Sequence, residues 1–226
     1  MAITEAALTS GSSTSNTTSY GTAAITPTGN RLIIVGVSNA GDDGVAPTLA
    51  GNGLTYNQID TQLYDSSGKR LTGFWAIGAS PSLGAIIIDF AGNQQAGCAW
   101  SVFEFDGIEL TGAIGDTDKA ETSTSTAVTL ALTFASSSNG ACALFAIDDN
   151  VAMANDPNFA EIHEVQVNDG ADSMTLETQW LATNDTTPSV SWTGNLQGAG
   201  IAFEIIASGG APASTRISKM SLMGVA

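Results

Sequence analysis

The sequence predicts an all-β protein, an antiparallel sandwich of jelly-roll-like or immunoglobulin-like type, and three observations predict it. Short apolar runs recur between segments rich in Gly, Ser, Thr and Asn, which suits strands and tight turns rather than helices. Only 12% of residues are charged, too few for a set of solvated amphipathic helices. The runs also come round twice in the same order. The first pass reads through residues 30–37, 71–76, 86–90 and 99–105, and the second through 139–147, 176–181, 189–192 and 199–205. Each pass places a Trp ahead of a proline loop (Trp75 then Pro81, Trp180 then Pro188) and closes on an Ala-x-x-x-Phe-Glu strand. Two readings account for this pattern: an internal structural repeat, or an antiparallel sandwich whose apolar strands recur at similar spacing with a few chance identities.

At 226 residues the chain suits one large double-sheet domain or two tandem ones. Residues 9–19 lack any large apolar side chain, so 1–19 reads as a flexible N-terminal arm. The first repeat is expected over 20–108, a Gly-, Asp- and Ser/Thr-containing linker over 109–125, the second repeat over 126–208 and a C-terminal arm over 209–226.

Within the first repeat, Tyr20–Ile25 reads as an opening strand and the unbroken run Leu32–Val37 as a strand covered on both faces. Gly51-Asn52-Gly53 and Ser66-Ser67-Gly68 bracket a hairpin that leads into Arg70–Ile77. In the strand 98–105, Phe103 and Phe105 share one face, while Trp100, Val102 and Glu104 share the other. In the second repeat, Val128, Leu130, Leu132 and Phe134 alternate with Thr129, Ala131 and Thr133. A helical turn fits Val151–Ala154, and strands fit Ile162–Val167, Met174–Leu181, Val190–Trp192 and Ile201–Ile206. The break Ser208-Gly209-Gly210-Ala211-Pro212 then ends the sandwich.

Twenty-two acidic against six basic residues give a formal charge of −16, which repels phosphate backbones and anionic membranes, so neither nucleic acid nor membrane is an expected partner. The first residues lack the basic and apolar regions of a secretory signal. Cys98 and Cys142 sit in apolar strands and read as buried free thiols.

Candidate chemistry is sparse. His163, the one histidine, falls in a strand and reads as exposed, and no Gly-x-Ser-x-Gly elbow offers it a nucleophile. One His and two isolated Cys cannot make a closed zinc site. Asp42-Asp43, Asp148-Asp149, Asp156 and Asp185 lie in loops without the spacing of a calcium loop. Glu104, Glu177 and Glu204 are the carboxylates available for glycoside hydrolysis, with nothing to select two of them. No catalytic residue, cofactor or metal is expected. Candidate partner-binding residues are Trp100, as an exposed aromatic, and Arg216, Ile217, Lys219, Met220, Leu222 and Met223 in a tail with two of the six basic residues and no acidic one.

The phrases Gly29–Val37, Arg70–Ala76 and Trp100–Ile108 resemble a β-sandwich module that recurs in tailed-bacteriophage virion proteins, of decoration or fibre type, and in bacterial surface proteins. The resemblance spans most of residues 20–208 and implies a structural or adhesive role with no active site. The function expected from it is a non-enzymatic virion structural protein, most specifically a capsid decoration (cement) protein. Such a protein is made in the host cytoplasm, carried on the capsid surface, bound to the major capsid protein or other virion subunits, and homo-oligomeric. Two alternatives stand beside it: a tail-fibre or receptor-binding carbohydrate-recognition module using exposed Trp and loop Asp, and a polysaccharide-active enzyme.

Overall fold

The computed structural model describes residues 2–41, 45–65 and 68–209. The first half forms β1 (Thr4–Ser13), β2 (Ser19–Gly21), β3 (Leu32–Ala40), β4 (Thr48–Gly51), β5 (Leu54–Thr55), β6 (Asn57–Asp65), β7 (Lys69–Ile77), β8 (Ile87–Asp89) and β9 (Gly97–Asp106). The second half forms β10 (Ile114–Thr129), β11 (Gly140–Ile147), β12 (Met153–Asn155), β13 (Ala160–Val167), β14 (Met174–Leu181) and β15 (Ser189–Ile205). Helix among the described residues is limited to one 3-10 turn, Gly170–Asp172.

The strands make two large antiparallel sheets, ordered β1-β9-β3-β7-β6 and β10-β15-β11-β14-β13, and a small sheet, β2-β8-β4-β5. The two large sheets use the same connection pattern: in each, the first and last strands of the half pair, and the second strand lies beside the last. The register repeats as well. Ile33 lies opposite Glu104 and Ala76, and its counterpart Ala141 lies opposite Glu204 and Leu181. Even the irregularities match, because β6 slips register between Gln58 and Asp60 and β13 between Glu161 and His163. The repeated passes of the sequence thus occupy equivalent places in two sheets.

The large sheets pack face to face around one shared core, in which Leu32, Ile34, Phe103 and Phe105 meet Leu144, Leu176, Ile201 and Phe203. Phe103 and Phe105 stand edge to face, and Trp180 of the second sheet tilts onto Phe105 with centroids 5.5 Å apart. Gly36 and Gly73 are cross-strand partners, and a Cβ on either would reach Leu144 at 3.3 and 2.9 Å respectively. Their bare backbones form the dimple into which Leu144 fits.

Each large sheet is also covered on its outer face, which is why β3, β9 and β11 are buried on both sides. The small sheet lays Tyr20, Ile86, Ile88 and Phe90 over Ile33, Val35, Phe74 and Val102. On the second sheet, Leu130, Leu132, Met153, Phe159 and Trp192 cover Ala143, Phe145 and Ile147. Phe103 and Phe105 on the inner face, with Trp100, Val102 and Glu104 on the outer, follow the alternation read from the sequence.

Four expectations are corrected. The segment 1–19 is extended but not a free flexible arm, since β1 pairs with β9 along its length. The backbone ladder and Gly11, whose absent Cβ would stand 2.9 Å from the Trp100 ring, order a stretch that has little apolar side chain of its own. Residues 109–125 are not a linker, because β10 runs through most of them and pairs with β15. Its alternate Thr and charged residues suit an edge strand with one face in water. Val151–Ala154 gives no helical turn; β12 there pairs with β15. The opening strand Tyr20–Ile25 shrinks to β2 plus an isolated bridge from Ile25 to Gly84.

Candidate functional site

Glu104 and Glu204 take equivalent positions on β9 and β15, and both are buried. Glu104 accepts hydrogen bonds from the Thr28 backbone N–H (2.8 Å), the Thr28 hydroxyl (2.7 Å) and the Arg31 guanidinium (2.8 Å). Glu204 accepts from the N–H of Asp116 (3.2 Å) and Ala135 (2.7 Å) and from Asn139 Nδ2 (2.7 Å). Each carboxylate thereby fastens the segment that leads into β3 or β11. Their donors nearly fill the lone pairs, and charge-assisted bonds of this kind rank among the stronger ones. They point to the outer faces of opposite sheets, so they do not converge on one substrate.

Two further carboxylates extend the device in the second half. Asp118 accepts the N–H of Ala131 (2.8 Å) and Asp116 that of Thr133 (2.7 Å), next to Glu204 on Ala135. The intervening N–H groups of Leu130 and Leu132 donate to the carbonyls of Pro188 and Thr186. Side-chain carboxylates therefore zip one edge of residues 130–135 where a neighbouring strand would supply carbonyls. Of the loop acids, Asp148 accepts the Gln197 N–H, Asp156 the Asn158 N–H and Ser189 hydroxyl, and Asp185 the Thr187 N–H. Asp42 and Asp43 lie outside the described residues.

His163 is half-buried rather than exposed, because the register slip on β13 turns it toward the first sheet. Its Nδ1 lies 2.8 Å from the Ser101 hydroxyl, which also lies 3.0 Å from Thr178 Oγ1. Burial holds the imidazole below its usual protonation range. Ser101 is fully buried, so this Ser–His contact bridges two sheets and offers no substrate access. Ser38, Tyr64 and Met174 bridge the same sheets nearby.

Glu177 on β14 stands apart from the other acids among the described residues. It is fully buried, and neither carboxylate oxygen has a hydrogen-bond partner. Burial first, then the neighbouring Glu161 and Glu164 charges, push its carboxyl up to about 8. Nothing in the sequence singles it out, since Glu104, Glu177 and Glu204 each follow a large apolar residue in a strand.

Trp100, a candidate partner contact, is buried beneath β1 and in the outer core, where it packs with Cys98 and Val102. Of the other tryptophans, Trp192 is buried and Trp75 and Trp180 are half-buried against the shared core. Arg216, Ile217, Lys219, Met220, Leu222 and Met223 lie outside the described residues. Cys98 and Cys142 are free and buried in different clusters, and burial raises both thiols well above their ordinary range. Among the described residues no group of three His, Cys, Asp or Glu is placed to hold a metal ion.

The fold and these sites define an all-β protein built from two equivalent antiparallel sheets on one core, with outer layers fastened by buried carboxylates. No family model, curated protein or solved structure matches the chain.

Proposed function

We propose that this protein is a non-enzymatic structural protein of a tailed-bacteriophage virion, most specifically a decoration protein bound to the major capsid protein on the head shell. The observation that carries this reading is how the sandwich hands over to the segment after Gly209. Ala207 bridges Ile108 and donates to Asn139 Oδ1 at 3.1 Å, and the Ser208 N–H donates to the Gly107 carbonyl at 2.8 Å. The segment that carries Arg216, Lys219 and four large apolar side chains therefore starts from a fixed point on an acidic, fully packed block. The basic and apolar side chains of that segment complement an acidic partner surface.

Quantitative mass spectrometry of purified particles tests the reading directly. A copy number comparable with that of the shell protein supports decoration; a few copies per particle moves the protein to the tail; absence from particles overturns the proposal. Deleting residues 213–226 should abolish shell binding while the circular dichroism of the sandwich stays unchanged.

A further inference from the structure

Glu177 is an unpartnered acid in a dry place, and its surroundings give that acid something to move. Glu164 on β13 lies directly opposite it across the ladder, and the same outer face of the sheet is covered by β12. Directly opposed side chains carry their Cβ atoms about 5 Å apart. Glu164 Oε2 accepts the backbone N–H of Met153 at 2.6 Å, and its Oε1 accepts from Gln166 Nε2 at 2.7 Å. Glu164 is thus the side-chain tie between β12 and the edge strand β13, while β12 is held on its other side by the ladder from Met153 to Trp192. Met153 itself is buried against the cluster that contains Phe145, the β11 neighbour of Glu177.

The charged groups around this place are one-sided. β13 contributes Glu161 and Glu164, and the chain following β12 contributes Asp156. The chain preceding β12 contributes Asp148 and Asp149, the latter's carbonyl accepting from Thr175 Oγ1. No lysine or arginine occurs in β11, β12, β13, β14 or β15. Lys69 of β7 donates its ammonium to the carbonyls of Asp148 and Ser173, before the start of β14, and not to a carboxylate of this group. A second negative charge opposite Glu164 accordingly has no counter-charge. Glu177 sits fully buried on an interior strand beneath the outer layer, whereas Glu164 is half-buried on the edge strand and can turn to water.

The geometry points to an alkaline-sensitive latch, in which loss of the Glu177 proton drives Glu164 outward, breaks its bond to the Met153 N–H and frees the β13 side of β12. While Glu177 keeps its proton the pair carries a single charge and the tie holds. Once it ionises, repulsion across the ladder is relieved most easily by the edge residue, and Met153 loses its cover.

The full chain labelled with 13C-methyl methionine tests this by NMR between pH 6 and 10, with the Met153 resonance assigned through Met153→Leu. The Met153 methyl should shift with a midpoint near 8, while Met174 in the shared core stays fixed. Glu177→Gln, which keeps the shape of the protonated acid, should abolish the transition. Glu164→Gln retains an oxygen for Met153 but removes the opposing charge, so Met153 should stay buried throughout, and this arm decides the matter if the first variant does not fold. A Met153 signal constant over the range, or a transition that persists in either variant, overturns the latch.

Discussion

Glu104 and Glu204 hold the same station in the two halves of the protein: one strand position, one outer-facing direction, and one task, receiving the backbone N–H groups of the segment that enters the adjacent central strand. Their partners differ, since Glu104 uses the half-exposed Arg31 where Glu204 uses the buried Asn139. The station is thus a property of the repeat, and the donors are a property of each half.

Replacing Glu204 by Ala should destabilise the fold by roughly 2–4 kcal/mol, because Asp116 N–H, Ala135 N–H and Asn139 Nδ2 lose a buried acceptor together. Glu104→Ala should cost less, since Arg31 is free to turn to solvent. Urea unfolding followed by tryptophan fluorescence measures both; equal losses would show that Arg31 adds nothing to the difference.

The dimple under Leu144 predicts an overpacking effect. Gly73→Ala places a methyl 2.9 Å from Leu144 Cδ1 and should destabilise by about 1–3 kcal/mol. In a double-mutant cycle with Leu144→Ala, the Gly73→Ala penalty should largely vanish, and independent, additive losses would refute the contact as its cause.

Glu177 makes stability fall as pH rises. Its proton is released near 4.5 in the unfolded chain and about 8 in the folded one, so the folded state binds it more tightly. The contribution is full below the lower value, declines by about 1.4 kcal/mol per pH unit between the two, and is gone above the higher. Urea midpoints of the wild type relative to Glu177→Gln, taken at pH 5, 7 and 9, should therefore drop steadily; a constant difference would contradict the buried acid.

His163 acts in the opposite sense. Its imidazole is held below the ordinary value of 6.5, so the unfolded chain takes up the proton first and stability from this group is lost as pH falls below that point. Two-dimensional NMR of the single histidine should show a titration midpoint under 6.5, and a midpoint at or above that value would contradict the burial of the ring.

Both thiols should resist labelling. With Cys98 in the outer core and Cys142 in the shared one, a disulfide reagent at pH 8 should modify neither in the folded protein and both in 6 M guanidinium. Labelling of Cys98 alone under native conditions would mean that β1 and the small sheet open readily.

The amino-acid sequence by itself determined the all-β class, the two passes, the double coverage of the run 32–37 and the facing of residues 98–105, because these follow from unbroken apolar runs, period-2 alternation and turn residues that act over a few positions. It could not determine the fate of residues 1–19 and 109–125. Those segments are polar, and β1 and β10 are ordered by backbone pairing with strands far along the chain, which leaves no apolar signature. The same holds for the carboxylates. Glu104, Glu177 and Glu204 look alike in sequence, yet tertiary structure gives two of them converging donors and leaves the third dry beside Glu164, since burial and partners depend on what the opposite layers bring over each strand. The His163 contact likewise exists only because a register slip on β13 turns one side chain toward the neighbouring sheet, and a slip of one residue exchanges the faces of a strand without altering its composition.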